Sequence, residues 1–461
     1  MRAQLKSLSG KHLHFIGIGG AGMSGLARIA LSHSIQVSGS DSKDSSVLKA
    51  LRALGATVTT THMASNVDGA DMVVFSAAIS PSNPELMRAR ELGVEILTRA
   101  TALAILMSES KSIAVAGTHG KTTTSSMLAV ALQACAADPS FSIGGTITAS
   151  GSNAHRGTGE IFVAEADESD GSFTEYHPFA AIVTNIEHDH VDFFPTPDEV
   201  AEAFRDFAST ISKDGFLTYC ADDAGALALA ADLGALRTIS YGVAAGSDLT
   251  LDSIELLALG SRARAIWHGK SLGFIELEVP GHHNLLNAAA VLATGIELGF
   301  SASDLLQGLG IFRGTGRRFE IIGTVQGVRV VDDYAHHPTE IEATLRAARR
   351  YAGDGRLIVI FQPHRYSRTA AFASGFAQTL ALADRVIVLE VYSAGEKTIP
   401  GVTSELITDL MANGEYIPNF IEVSDSVIES AEPGDVIITL GAGDVSSLAP
   451  IILEGLTRRF A

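Results

Sequence analysis

The chain has 461 residues with 33 basic against 52 acidic side chains, a formal charge of −19, and 46% hydrophobic residues. That acidity argues against a protein that rides on nucleic-acid phosphates and confines any nucleotide to a local site. The length suits two to four domains of about 100–200 residues each, and three are expected, while the two cysteines, Cys135 and Cys220, lack a C-x-x-C partner and call for no disulfide.

The opening stretch MRAQLKSLSG has no apolar signal core, and no apolar run reaches the ~18 residues of a bilayer span, so a soluble cytoplasmic protein is expected. KHLHFIGIGGAGMSGLARIALSHSIQVSGSD then reads as strand, glycine turn, helix and strand, and DMVVFSAA and VEIL continue the β/α alternation to about residue 97. Gly17, Gly19 and Gly22 form G-x-G-x-x-G after the first strand, and Asp41 follows the second, where a ribose-binding acid stands. Such a turn certifies close backbone approach. It is compatible with a dinucleotide, with another diphosphate such as a nucleotide sugar, or with tight packing alone.

A second series opens at Lys111. SIAVA is a β-type run, SSMLAVALQACA has helical spacing, and between them GTHGKTTT places Lys121 and Thr122 at the start of a helix. The strict G-x-x-x-x-G-K-[ST] rule fails, because Val115 stands six residues before Lys121. The compact G-T-H-G-K-T still offers Gly117, Thr118, Gly120 and Thr123 as a phosphate cradle, Lys121 as a point charge and Thr122 as a metal-ligand hydroxyl. EIFVAEADESD and AAIVTNIEHDHVDFF end two further strands in Glu165 and Asp167, and in Glu187, His188, Asp189 and His190. Beside a phosphate loop these are candidate Mg²⁺ ligands; a Zn²⁺ reading of His188 and His190 lacks the remaining ligands of a four-coordinate set.

Successive β-type runs between about 248 and 280 suit a small antiparallel appendage, and NLLNAAAVLATGIELG reads as the helix that closes the domain. At its start Asn284 and Asn287 can read an adenine edge, or Asn284 can simply cap the helix. GRRFE supplies Arg317 and Arg318 at a domain join. A third alternation follows in VRVVDDYAHHPTE, RLIVIFQPH, DRVIVLEVY and DVIITLGAGD, which places Asp332, Asp333, Tyr334, His336, His337, His364, Arg365 and Arg368 at strand C-terminal ends, where open α/β sheets bind ligands. Two arginines there suit a small carboxylate. The expected fold is α/β in three domains: Rossmann-like over 1–107, P-loop ATPase-like with a parallel sheet and the antiparallel appendage over 108–319, and Rossmann-like over 320–461.

Taken together, GTHGKTTT, EADESD, TNIEHDHVD, HHNLLNAAA, GRRFE and DDYAHHPTE resemble the ATP-dependent Mur ligases of peptidoglycan precursor synthesis, in the same order along essentially the whole chain. Within that family, GIGGAGMSGLA, GSD, SAAI, FQPHRYSRT and EVYSAGE are similar to the branch that adds L-alanine to UDP-N-acetylmuramate. A relative that attaches a recycled tripeptide to the same sugar nucleotide carries EADEYD and lacks PHRYSR, so Ser169, Arg365 and Arg368 favour a single amino acid as acceptor. The resemblance implies a uridine diphosphate cradle at Gly19, Gly22, Met23, Ser24, Asp41 and Ser76. It implies ATP on Gly117 to Thr123 with Asn284, Asn287, Arg318 and Asp332, and Mg²⁺ (or Mn²⁺) on Thr122 and Glu165 with a second ion shared by Glu165 and His190. L-alanine would lie on Tyr334, His336, Arg365 and Arg368, with His336 as one choice of base. Sister ligases bridge the second metal with a carbamylated lysine, whereas residues 198–212 here contain no lysine. A monomer or weak homodimer is expected, with no nucleic-acid partner. A nicotinamide oxidoreductase would account for the first glycine turn alone, and a P-loop switch ATPase for the second segment alone.

Overall fold

A computed structural model describes residues 5–76 and 79–461. Met1 to Gln4 of the opening stretch and Ala77 and Ala78 of SAAI lie outside the described residues. The chain forms two compact units: one of residues up to Ile186 with Ala201–Thr250 and Ala290–Gly308, the other of Glu187–Val200, Leu251–Ala289 and Leu309–Ala461.

In the first unit the opening segment folds into strands β1 (His12–Ile16), β2 (Gln36–Ser40), β3 (Thr57–Thr59), β4 (Met72–Phe75) and β5 (Glu95–Thr98), with helices α1 (Ala21–Ser32), α2 (Ser46–Ala53), α3 (Pro84–Leu92) and α4 (Arg99–Met107). The described strands make one parallel sheet in the order β3-β2-β1-β4-β5. Helices on both faces explain why Val73, Val74, Phe15 and Ile16 are all buried, a run of apolar residues rather than an alternation. Strand order reverses at β1, so the turn carrying Gly17 to Gly22 opens into the crevice of a topological switch point.

The same unit holds β6 (Lys111–Ala116), β7 (Ser140–Ile147), β8 (Ser152–His155), β9 (Ile161–Glu165), β10 (Ala180–Val183), β11 (Phe216–Cys220) and β12 (Arg237–Gly242), with helix α5 (Lys121–Ala134) after β6. Their order is β12-β11-β10-β6-β9-β7-β8, parallel except for β8 against β7. β6 is flanked by β10 and β9, so the phosphate-type turn also stands at a switch point. The strands β7 and β8 did not announce themselves in the sequence, because SFSIGGTI interrupts its apolar pattern with Gly144 and Gly145, which suit a turn as well as a strand.

The second unit contains the hairpin β14 (Ser261–Trp267) and β15 (Lys270–Leu277), antiparallel as expected of the appendage, preceded by β13 (Leu249–Leu256), of which Leu251 onward belongs here. Its large sheet comprises β16 (Glu320–Val325), β17 (Val328–Asp333), β18 (Leu357–Phe361), β19 (Arg385–Val388), β20 (Gly414–Tyr416) and β21 (Val436–Leu440) in the order β16-β17-β21-β18-β19-β20, parallel but for the edge strand β16. Every residue of β18 is buried, between apolar clusters on the two faces. The α/β class and its three sheets agree with expectation. The compact units do not follow the expected limit at 319/320, since Glu187–Val200 and Leu251–Ala289 group with the C-terminal sheet.

One buried polar network ties the first sheet together. Glu85 of α3, 0% exposed, accepts hydrogen bonds from Ser40 Oγ (2.5 Å) and Asn66 Nδ2 (2.5 Å), with His62 Nδ1 at 3.1 Å and His14 Nε2 at 3.7 Å. Burial pushes its carboxyl up, but the nearby His14 ring and the hydrogen bonds of Ser40, Asn66 and His62 outweigh it and bring it down to about 2. A carboxyl depressed in the folded state adds stability that is present above its unfolded pKa and is lost as pH falls toward about 2. Glu85→Ala should lower the unfolding free energy by about 3 kcal/mol in urea titrations at neutral pH. A loss below about 1 kcal/mol, the value expected for a surface change such as Glu91→Ala, would mean that the partners rebond to water at little cost.

Candidate active site

The turn after β6 is shaped by a backbone no side chain tolerates. Gly117 has φ +132°, and a Cβ there would lie 2.0 Å from Thr184 Oγ1. Thr184 and Asn185, at the end of β10, clamp the loop: Thr184 Oγ1 donates to the His119 carbonyl (2.5 Å), Asn185 Oδ1 accepts from His119 N–H (2.8 Å), and Thr118 N–H donates to the Asn185 carbonyl (3.0 Å). Gly120, at φ +83°, caps α5, whose first residues are Lys121, Thr122 and Thr123. The helix therefore aims its N-terminal dipole and amides out of the loop, the geometry that receives phosphate.

Lys121 Nζ donates to the carbonyls of Gly117 (2.7 Å) and Thr118 (3.1 Å) and to Glu168 Oε1 (2.9 Å). Burial alone would lower its pKa, but the charges of Glu168, Asp167 and Glu165 raise it overall, so the ammonium stays charged. Thr122 Oγ1 donates to Glu165 Oε1 (3.0 Å), and Gly144 N–H donates to Glu165 Oε2 (2.7 Å). Burial pushes the Glu165 carboxyl above its usual range despite these donors and Lys121. A hydroxyl and a desolvated carboxylate converging beside a phosphate loop are hard oxygen donors, the chemistry that Mg²⁺ takes. The residue that sequence reading passed over is Glu168, which holds Lys121; its only signal was a third acid inside EADESD.

Gly22 and Met23 of α1 and Ser76 after β4 line a cleft of about 240 Å³ whose other wall is Gly144 of β7, Glu165 at the end of β9 and Asp167 just beyond it. The glycine turn and the carboxylates of Glu165 and Asp167 thus face one space within the first unit, and Glu165 also meets Thr122 at the start of α5. Asp41 lies on the turn's other side, its Oδ2 accepting from Gly19 N–H (2.9 Å), while Ser24 is buried in α1.

In the second unit the predicted acceptor residues do gather. Tyr334 and His336 rings lie 5.3 Å apart, His336 and His364 rings 5.9 Å apart, and Arg368 Nη1 approaches His364 Nδ1 at 3.3 Å. Arg368 is only 3% exposed, and its Nε and Nη2 meet Asp189 Oδ1 at 2.9 and 2.8 Å; Asp189 is equally buried. Burial penalises the Asp189 carboxylate, but Arg368 holds it well below the usual range. Arg365, more exposed, pairs with Asp192 and lies near Glu396. His190 sits beside Asp189, its Nε2 3.7 Å from Asp189 Oδ2. Left-handed backbone recurs at these positions, with φ +53° at His190, +59° at Arg317 and +70° at Arg365, and such strain concentrates at ligand clamps.

Arg318 lies over the Tyr334 ring and 3.6 Å from Glu340, whose carboxylate also meets His336 Nδ1 (3.3 Å). Asp332 is buried, with Thr439 Oγ1 (2.6 Å) and Arg317 Nε (3.3 Å) on its two oxygens. Asn284 does not cap its helix, which begins at His282; its amide instead reaches back to the Pro280 carbonyl (2.7 Å), with Asn287 Nδ2 3.4 Å away. The capping reading is thereby corrected. Lys121, Thr122 and Glu165 belong to the first unit; His190, Asn284, Asn287, Arg318, Asp332 and the acceptor residues belong to the second.

Burial lowers His283 to about 4 and His336 and His364 to about 3 from an ordinary 6.5. Below pH 6.5 the unfolded chain binds protons that these buried rings refuse, so stability from this cluster is complete above about pH 6.5 and declines as pH falls toward 4. The urea midpoint of the C-terminal transition should fall between pH 7 and pH 5, and His283→Asn should flatten that slope. An unchanged slope would mean that His283 does not stay neutral in the fold.

Three family descriptions match consecutive stretches: "Mur ligase family, catalytic domain" over 12–111, "Mur ligase middle domain" over 115–295, and "Mur ligase, glutamate ligase domain" over 317–443. The chain is 49% identical to the UDP-N-acetylmuramate--L-alanine ligase of Renibacterium salmoninarum, across 99% of this chain and 98% of that protein. It is likewise 49% identical to the ligase of the same name from Acidothermus cellulolyticus, across 97% and 95%. Among solved structures, the UDP-N-acetylmuramate-alanine ligase MurC of Thermotoga maritima superposes with TM-score 0.82 at 30% identity, covering 97% of this chain and all of that one. A murein peptide ligase of Psychrobacter arcticus superposes with TM-score 0.74 at 25% identity, covering 97% and 99%.

Proposed function

The chain belongs to the Mur ligase family, and on that premise we propose that it joins L-alanine to the lactyl carboxylate of UDP-N-acetylmuramate at the expense of ATP, in peptidoglycan precursor synthesis. The observation that carries the reading is the near-full-length 49% identity to ligases of that name, and it is supported by the glycine-rich turn that brings Lys121 to Glu168 and Thr122 to Glu165.

A carboxylate is a poor electrophile, so its oxygen must first become a leaving group. The lactyl carboxylate attacks the γ-phosphorus of ATP, the bond to ADP breaks, and an acyl phosphate forms. The ammonium of L-alanine loses one proton to become the nucleophilic amine, which attacks the acyl carbon; the C–O bond to phosphate breaks, and the nitrogen's second proton leaves with inorganic phosphate or to water. Gly117, Thr118, Gly120 and Thr123 present backbone to the phosphates, and Lys121 is already aimed there, its loop carbonyl and Glu168 contacts being exchanged for phosphoryl oxygens. Thr122 and Glu165 would hold Mg²⁺, which supplies charge neutralisation across the phosphates. Asn284, Asn287, Arg318 and Asp332 are assigned to the nucleotide, and Gly19, Gly22, Met23, Ser24, Asp41 and Ser76 to the uridine diphosphate.

For the acceptor, Arg365 is the accessible cation, Tyr334 and His336 are assigned to the same amino acid, and Arg368, engaged by Asp189 and near His364, supports the group. Burial keeps His336 neutral, so its ring can accept a hydrogen bond from the incoming amine, while the same shift makes it a weak base. His190 is assigned to a second cation. We further assign the three substrates to segments 1–107, 108–319 and 320–461, and the protein to the cytoplasm as a monomer or weak homodimer. Among the described residues no helix is long and apolar enough to cross a membrane.

The test is phosphate release from ATP and Mg²⁺ with UDP-N-acetylmuramate present and the acceptor varied among L-alanine, glycine, L-serine, D-glutamate and the recycling tripeptide. L-alanine should be preferred, with a new product matching the phosphate released. Preference for the tripeptide would move the activity to the recycling reaction, and silence with every acceptor would overturn it. Lys121→Ala should cut turnover by at least about 1,000-fold, the scale of losing a cation on a transferring phosphoryl group, while calorimetry still detects UDP-N-acetylmuramate. Loss of both would contradict the assignment of the two substrates to separate sheets.

A further inference from the structure

Arg99 is the first residue of α4, where the helix dipole is positive and a cationic side chain is least welcome. It is nevertheless only 24% exposed. A Cβ placed on Gly22 would lie 3.0 Å from its Cδ and 3.3 Å from its Nη1, so the side chain lies across the first turn of α1. At its far end Nη2 stands 3.7 Å from Asp167 Oδ2, too far for a hydrogen bond, and the planar fork of donors is not spent on that contact. Burial opposes its charge, but Tyr176, Asp167, Asp170 and Glu165 hold it charged. Tyr176, itself fully buried, has a hydroxyl with no hydrogen-bond partner among the described residues, and burial pushes it up to about 12, so it too remains a donor in this neighbourhood.

Arg99 is the one cation among the residues that line the cleft between the glycine turn and the Glu165–Asp167 wall. Two carboxylates on that wall repel an anion, whereas the first turn of α1 attracts one; a guanidinium spanning the two decides where an anion settles. Resting on the reading that this turn receives a uridine diphosphate, we propose that Arg99 is a substrate-binding residue which exchanges Asp167 for the sugar-side phosphate of the nucleotide sugar. The carboxylate end of the same substrate is the other anion within reach. The diphosphate is favoured because the arginine stem crosses Gly22, at the helix terminus, and not Glu165.

The experiment is calorimetry on the full chain with UDP, UMP, UDP-N-acetylglucosamine and UDP-N-acetylmuramate. Wild-type protein should bind UDP more tightly than UMP. Arg99→Ala should weaken UDP and both nucleotide sugars by about ten- to a hundredfold, the scale of a charged hydrogen bond, with UMP and ATP changed less than about twofold. Arg99→Lys should recover part of the loss, and Asp167→Asn, which removes the competing partner, should tighten UDP. Retained ATP affinity certifies a folded variant; if Arg99→Ala loses it, the UDP-to-UMP ratio of Arg99→Lys decides in its place. Unchanged UDP affinity in a folded variant would overturn the proposal, as would a loss confined to UDP-N-acetylmuramate, which would give the arginine to the carboxylate. A wild-type protein that binds no uridine nucleotide would overturn the underlying reading, and with it the proposal.

Discussion

The contact on which the site depends is the one between Gly117 and Thr184. Backbone at φ +132° with an oxygen 2.0 Å from where a Cβ would be leaves room for glycine alone, and the approach lets Thr184 and Asn185 fasten the loop between β6 and α5 from the next strand. The candidate nucleotide residues of the first unit are referenced to that loop. It sets the start of α5, hence the direction of its dipole, the reach of Lys121 and the distance of Thr122 from Glu165. A loop free to sag would lose all of these together.

Charge in this protein is handled by local pairing. Lys121 with Glu168, Arg368 with Asp189 and Arg365 with Asp192 are cations of the proposed chemistry, each already facing a carboxylate of the chain. A buried charge without a partner is costly, and removing one member leaves the other uncompensated. Such partners also set what a ligand must offer: phosphate or carboxylate oxygens that replace a protein carboxylate at similar geometry. The buried Asp189–Arg368 pair is the most committed of the three and reads as support, whereas Arg365 is accessible enough to exchange.

Much of the fold was legible because its strands are bounded by strong signals. β6, β9, β10, β17, β18 and β21 are apolar runs ending in glycine, acid or histidine, and parallel strands buried on both faces must look that way. The strands β7, β8, β12 and β16 were missed: SFSIGGTI and EIIGTV carry glycines, SNAH has no apolar run, and RTISYG alternates too briefly to stand apart from a loop. Asn284 was left with two readings for a related reason, since an asparagine near a helix start can cap it or lie in its first turn, and the start of the helix at His282 removes only the capping one.

The order of motifs along the chain, by itself, determined the α/β class, the strand-to-helix turn at Gly117 to Thr123, the acids that follow β9 and β10 and the family. Those features are local, carried by residues adjacent in the chain and by strand-to-helix turns whose chemistry is short-range. Tertiary structure alone decided the partners: that Glu168 holds Lys121, that Asp189 reaches across 179 positions to Arg368, and that Arg99 lies between Gly22 and Asp167. Such pairings depend on which strands become neighbours, and a carboxylate in the sequence carries no mark of the cation it will meet.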